Sequence, residues 1–160
     1  MQERADDLEF PTGDITPSEY DRERFDLGYS FAKGRHEFSI DFARNNTKDA
    51  GTASLPMDIL SIDSDLFRSR YTLSTSEGLF TAELSASDNE HWMTNYHLRR
   101  PPQTAASSDD PMRFRRNWAV SENYGFALKY EQFADNGTWL YGIDGHFAEH
   151  RPIITNPNSV

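Results

Sequence analysis

From Phe25 onward apolar residues recur at every second position, and the stretches that carry this alternation are joined by connections that are short and long in turn. A period of two belongs to an extended strand with one apolar and one polar face, because successive side chains point to opposite sides. The first run sets Phe25, Leu27, Tyr29 and Phe31 against Asp26, Gly28, Ser30 and Ala32. Lys33-Gly34-Arg35 turns the chain, and Phe38, Ile40 and Phe42 then alternate with Glu37, Ser39, Asp41 and Ala43. Four more runs follow, carried by Phe67, Tyr71 and Leu73; by Phe80, Ala82, Leu84 and Ala86; by Trp118, Val120, Tyr124, Phe126, Leu128 and Tyr130; and by Trp139, Tyr141, Ile143 and Phe147. The last two are separated by Ala134-Asp135-Asn136-Gly137, a strong turn signal.

The order of the connections constrains the fold further. They are short around Gly34, Gly78 and Asn136-Gly137, and long at 45–60, at 90–113 and after 150. If neighbours pair antiparallel, every short turn falls at one end of the sheet and every long loop at the other. Short turns on one side and long loops on the other are the pattern of bacterial outer-membrane barrels, and about ten residues per strand is the span a tilted membrane strand needs. The expected fold is therefore all-β: an antiparallel, partial transmembrane β-barrel of about six strands. Residues 1–24 are expected to form a loop, 25–150 the six strands, and 151–160 the start of a further long loop. Aromatics near strand ends (Phe25, Trp118, Tyr130, Trp139 and Phe147) are expected to form interfacial girdles.

Six strands are too few to close a membrane barrel, whose bacterial single-chain forms begin at about eight. An open sheet in lipid would leave unpaired edges at high cost. The 160 residues are thus expected to belong to a larger barrel. The competing expectation is a soluble, lipocalin-like β-barrel that binds a small apolar ligand. Against it stand the small and charged residues of the opposite face and the length of the Pro-, Ser-, Thr- and Asp-rich loops.

Composition agrees with two-faced strands. Only 36% of the chain is hydrophobic, yet 13% is aromatic, which is unlike a disordered chain. The net charge of −10 argues against nucleic acid, whose phosphates need clustered Lys and Arg. There is no cysteine, so thiol chemistry is excluded within these residues. Met1 to Tyr20 contain no apolar segment of a secretory signal. The chain is not expected to be an enzyme or to carry an intrinsic cofactor: no nucleophile elbow, His-Glu-x-x-His or phosphate-cradling glycine loop is present.

Several segments together resemble a TonB-dependent outer-membrane receptor over 11–158, nearly the whole chain. They are Thr16-Pro17-Ser18-Glu19-Tyr20-Asp21-Arg22 before the first strand, Arg44-Asn45-Asn46-Thr47 after the second, and Gly51-Thr52-Ala53-Ser54-Leu55-Pro56-Met57-Asp58-Ile59 in the first long loop. Gly142-Ile143-Asp144-Gly145-His146-Phe147-Ala148-Glu149-His150 and Asn156-Pro157-Asn158 complete the set. The resemblance implies a barrel of about 22 strands, closed by an N-terminal plug, in the outer membrane of a Gram-negative bacterium. It also implies partners: outer-membrane lipid, and a TonB complex engaged through the plug. Neither the plug nor a TonB box lies within these residues.

Glu90-His91-Trp92-Met93, with His97 beyond it, is the cluster richest in soft ligands. Imidazole with thioether favours copper, and thioether favours Cu(I) in particular. Residues two apart on a strand share a face, so His91 and Met93 are placed to act together. The receptor subfamily that the chain resembles most imports copper, and its members carry a His-x-Met pair here, completed by a Cys-x-x-x-Met pair in the plug. His91 and Met93 match the first pair. The resemblance therefore implies a scarce metal or metal chelate as cargo, with copper foremost. The bland reading is a loop His and Met without a ligand role.

His97, His146 and His150 are weaker metal candidates; the last two read best as lining of a polar face. Met57 and Met112 lie in long loops. Arg99, Arg100, Arg113, Arg115 and Arg116 form the one basic concentration, readable as contact with lipopolysaccharide phosphate or an anionic chelate, and more simply as a solvated strand end paired with Asp and Glu. Asp63, Asp65, Asp109 and Asp110 are acidic pairs of a common kind.

Overall fold

The computed structural model describes residues 1–9, 11, 13, 16–52, 54–99 and 114–155. They form a single antiparallel sheet of seven strands in sequence order, with no helix among the described residues. The strands are β1 (Gln2–Ala5), β2 (Tyr20–Lys33), β3 (His36–Ala50), β4 (Asp58–Ser74), β5 (Gly78–Thr94), β6 (Arg116–Ala134) and β7 (Gly137–Thr155). Each pairs only with its neighbours in the chain, and β1 and β7 are left as the two edges.

The all-β, antiparallel architecture and the alternation of short and long connections agree with the sequence. Two-residue turns join β2 to β3 and β6 to β7, and residues 75–77 join β4 to β5. Gly34 supplies the positive φ (62°) of the first of these turns. The connections from β1 to β2, from β3 to β4 and from β5 to β6 leave and enter the sheet at the opposite end.

Three expectations need correction. There are seven strands rather than six, because Gln2–Ala5 pairs with Tyr20–Glu23. Residues 1–24 are therefore not simply a loop, and 151–155 continue β7 rather than begin a loop. Finally, the strands outrun their apolar alternation: β3 continues through Asn45 to Ala50, paired with residues 59–64 of β4. Alternation marks a face that leaves water, whereas ladder hydrogen bonds need only a partner strand, so polar segments pair without showing the pattern.

Register turns the alternation into lateral rows. On one face the sheet presents Phe31, Phe38, Tyr71, Ala82, Leu128 and Ile143 side by side. The next row is Tyr29, Ile40, Ser69, Leu84, Phe126 and Gly145, and the next Leu27, Phe42, Phe67, Ala86, Tyr124 and Phe147. Toward the short turns, Leu73, Phe80, Tyr130 and Tyr141 complete the apolar rows. From Phe80 to Ala86 the rows extend about 20 Å along the strand at about 3.4 Å per residue.

One step beyond the last apolar row, the same face presents Asp65, Asp88, Glu122 and Glu149 on four consecutive strands. Arg44 is bound to Asp65 (2.6 Å) and Arg151 to Glu122 (2.8 Å), which relieves part of the like-charge repulsion across the ladder. The opposite face is polar. There Arg70 and Glu83 stand opposite each other and pair at 2.6 Å, with Lys129 reaching the same carboxylate. No hydrophobic side chain among the described residues is buried. The apolar rows have no described part of this chain packed on them.

Candidate metal site

β5 carries the His-x-Met pair near its loop end. The even-numbered residues of β5 from Phe80 to Trp92 share the apolar face, so His91 and Met93 both belong to the polar face. His91 stands between Ile62 of β4 and Ala119 of β6, and Met93 stands opposite Asn117. A shift of register lies beside them: β4 bulges between Ile59 and Ser61, which lets Met93 pair with Ile59 and Trp92 with Ser61.

Two buried polar atoms at this place have no hydrogen-bond partner among the described residues: Nε2 of His91 and Oδ1 of Asn117. They sit on neighbouring strands of one face, one step apart diagonally in the register. Buried polar atoms are seldom left unpaired. An imidazole nitrogen, a thioether and an amide oxygen on one face make a small donor set. His91 lies beyond the apolar rows, and burial pushes its imidazole below the ordinary range, which favours the neutral form that ligates metal. Asn117 carries no sequence motif; only the register brings it to Met93.

The weaker candidates do not gather around this pair. His97 lies in the loop after β5, with Nε2 2.8 Å from Oδ1 of Asp49. His146 and His150 do fall on the polar face, opposite Gly125 and Ser121. No group of three or more His, Asp or Glu able to hold a metal occurs among the described residues. Met57 is half-buried in the loop 51–57. Asp63 accepts a hydrogen bond from Asn46, and Asp65 is taken up by Arg44. Arg100, Asp109, Asp110, Met112 and Arg113 lie outside the described residues.

The basic concentration is divided among distinct tasks. Arg99 is not a solvated strand end: it binds the carboxylate of Asp58, which is 1% exposed, through Nε (2.6 Å) and Nη2, and also donates to the carbonyls of Leu55 and Thr52. Burial alone would raise the Asp58 carboxyl, but hydrogen bonds from Arg99 and Thr52 outweigh it and hold the group below its usual range. The same contact raises Arg99 further. Arg116 lies over the indole of Trp92 at 5.2 Å. Trp92 in turn stacks on Trp118 with ring centroids 5.5 Å apart, and Oε1 of Glu90 accepts both indole N–H bonds, at 2.9 and 2.7 Å. Trp118, opposite Trp92, therefore lies on the same face as the apolar rows, at the loop end of the sheet.

A one-sheet antiparallel meander, apolar on one face and polar on the other, with its turns and loops segregated by end, is the architecture of an outer-membrane β-barrel portion. Among solved structures the chain is similar to "Copper transporter OprC", with a TM-score of 0.83 and 18% sequence identity. The match covers 96% of this chain and 24% of the other, so these residues span about a quarter of that structure's length. At this identity the likeness establishes the fold. No protein-family model matches the chain, and no curated protein matches it by sequence.

Proposed function

We propose that the chain is part of a TonB-dependent outer-membrane receptor that binds and imports a scarce metal or metal complex, with copper as the favoured cargo. The observation that carries the membrane reading is the continuity of the apolar rows across β2 to β7 on a face that no described part of this chain covers. Their extent of about 20 Å along the strands is on the scale of the apolar band of about 25 Å found on membrane barrels. The row of carboxylates immediately beyond marks where hydrocarbon gives way to headgroups. A soluble barrel closed around the aromatic face has no comparable observation in its favour.

In this reading, further strands pair with the edges at β1 and β7, since open ladders are not tolerated in hydrocarbon. The polar face lines the lumen. His91 and Met93 present imidazole nitrogen and thioether sulfur to arriving copper, with the Asn117 amide beside them, and ligands from a plug complete the coordination. Segmental likeness to TonB-dependent receptors supports this reading, as does the shared fold with a copper transporter. The chain's own residues bind and release; no bond-making chemistry is assigned to them.

The test uses the full-length product that contains this chain. It is expected to partition with outer membranes and to accumulate copper only in cells with an intact TonB system, with uptake lost in His91→Ala and Met93→Ala. Recovery in the soluble fraction would overturn the membrane reading. Outer-membrane recovery with unchanged copper uptake in both variants would overturn the choice of cargo.

A further inference from the structure

The His-x-Met pair sits where β5 is least supported. It falls within the last turn-free stretch before the strand ends at Thr94, and on the β4 side the bulge at Leu60 interrupts the ladder beside it. On the β6 side the register runs unbroken as far as Thr94 opposite Arg116. β6 is therefore the strand that holds the end of β5 in place.

Across that pairing, on the face opposite the donors, three side chains form a clamp. Trp92 of β5 stacks on Trp118 of β6, and a single oxygen of Glu90 accepts the N–H of both indoles. Arg116 lies over the Trp92 ring and holds it from β6 as well. The clamp and the donor set are back to back. Trp92 lies between His91 and Met93 in the chain, and Trp118 directly follows Asn117. Adjacent residues of a strand point to opposite faces, so a twist or slip that opens the stack also moves the imidazole, the thioether and the amide on the other side.

We infer that Glu90, Trp92 and Trp118 are positioning residues for the metal site, fixing the spacing of His91, Met93 and Asn117 from the reverse of the sheet. The inference rests on the metal reading above. A ligand set works well only when its members are held to within about 0.5 Å, and a strand end beside a bulge opens more readily than the middle of a sheet. The aromatic stack and the charge-assisted hydrogen bonds supply the restraint that the interrupted ladder lacks. They do so without occupying the face at which metal arrives.

The test is a double-mutant cycle on Cu(I) affinity of the full-length protein, read by competition with a chelator. Trp118→Ala and Glu90→Ala are each expected to weaken Cu(I) binding about tenfold, and Trp118→Phe, which keeps a ring on Trp92, by less. In a Met93→Ala background, Trp118→Ala is expected to cost less than about threefold, because the spacing it guards has already lost a member. A general loosening of the fold would weaken both backgrounds equally. Trp139→Ala, at the turn end of the same face, is expected to bind as the parent does. Parental affinity in both Trp118→Ala and Glu90→Ala, or equal losses with and without Met93, would overturn the inference and leave the metal reading standing. Absence of Cu(I) binding by the parent would overturn both.

Discussion

Arg99 and Asp58 stand 41 residues apart in sequence, and the guanidinium of one closes on the carboxylate of the other inside the loop end of the sheet. Thr52 and Leu55 give their carbonyl oxygens to the same arginine. The loop 51–57 is thereby fastened to the loop that follows β5. Removing one partner of a buried pair leaves the other uncompensated, at about 3–5 kcal/mol. Arg99→Ala is expected to release the loop, read as faster amide exchange over 51–57 with exchange in the middle of β4 unchanged. Asp58→Leu combined with Arg99→Met is expected to recover part of that protection; recovery of none would show that the charge itself is required.

The same pair predicts a pH dependence. The Asp58 carboxyl is held below its ordinary range, so it is charged in the folded loop at pH values where the free side chain takes up a proton. The stabilisation is complete above the ordinary carboxyl range and is lost as pH falls through the lowered value. Loop protection is expected to be flat from neutral pH to about pH 5 and to fall below about pH 4, with the Asp58→Asn variant lacking that step.

Charge placed on the two faces is expected to have opposite consequences. Leu84 lies in the middle apolar row, and Ser85, the next residue, lies on the polar face. Leu84→Arg is expected to destabilise the membrane-inserted protein by about 2–4 kcal/mol, and Ser85→Arg by much less. Unfolding by urea in lipid vesicles measures both. Equal costs would contradict the assignment of faces.

Glycine positions on the sheet separate hard from soft obstacles. A Cβ at Gly78 would meet the backbone oxygen of Glu131, which cannot move without opening the β5–β6 ladder. A Cβ at Gly28 would meet only the end of the Asp41 side chain, at 2.9 Å. Gly78→Ala is expected to cost about 1–3 kcal/mol, and Gly28→Ala less than about 1 kcal/mol, in the same urea measurement.

For the proposed cargo, His91→Ala and Met93→Ala are each expected to weaken Cu(I) binding by the full-length protein at least about tenfold. His146→Ala and His150→Ala are expected to leave it unchanged, because these residues lie on β7, beyond the intervening β6. Competition with a chelator of known affinity reads all four. A loss in the β7 variants alone would move the site across the sheet.

The sequence carried the faces of the strands and the segregation of turns from loops, since both depend on local spacing. Phe25 to Phe31 and Phe80 to Ala86 needed only parity to be placed. β1 was hidden because Gln2–Ala5 is short and has no apolar alternation, so only its partner in β2 makes it a strand. The shared face of His91 and Met93 followed from parity as well. Asn117 beside Met93, and Trp118 upon Trp92, depend on the register of β5 with β6 across a long connection, and spacing within one strand cannot give that register. Arg99 meeting Asp58 depends on how two loops close, for which no periodicity exists.

Every strand of this sheet touches only the strands before and after it in the chain. Within the ladders, a pair of strands joined by a tight turn is therefore a modular unit whose strand partners are only its neighbours in the chain. Genetic duplication or loss of one hairpin would change the circumference of a barrel built this way and leave the pairing inside the remaining hairpins intact. At the loop end, by contrast, Arg99 after β5 is tied to Asp58 and to the carbonyls of Thr52 and Leu55, so a change in one of these two loops is felt by the other while the ladders beneath them stay paired.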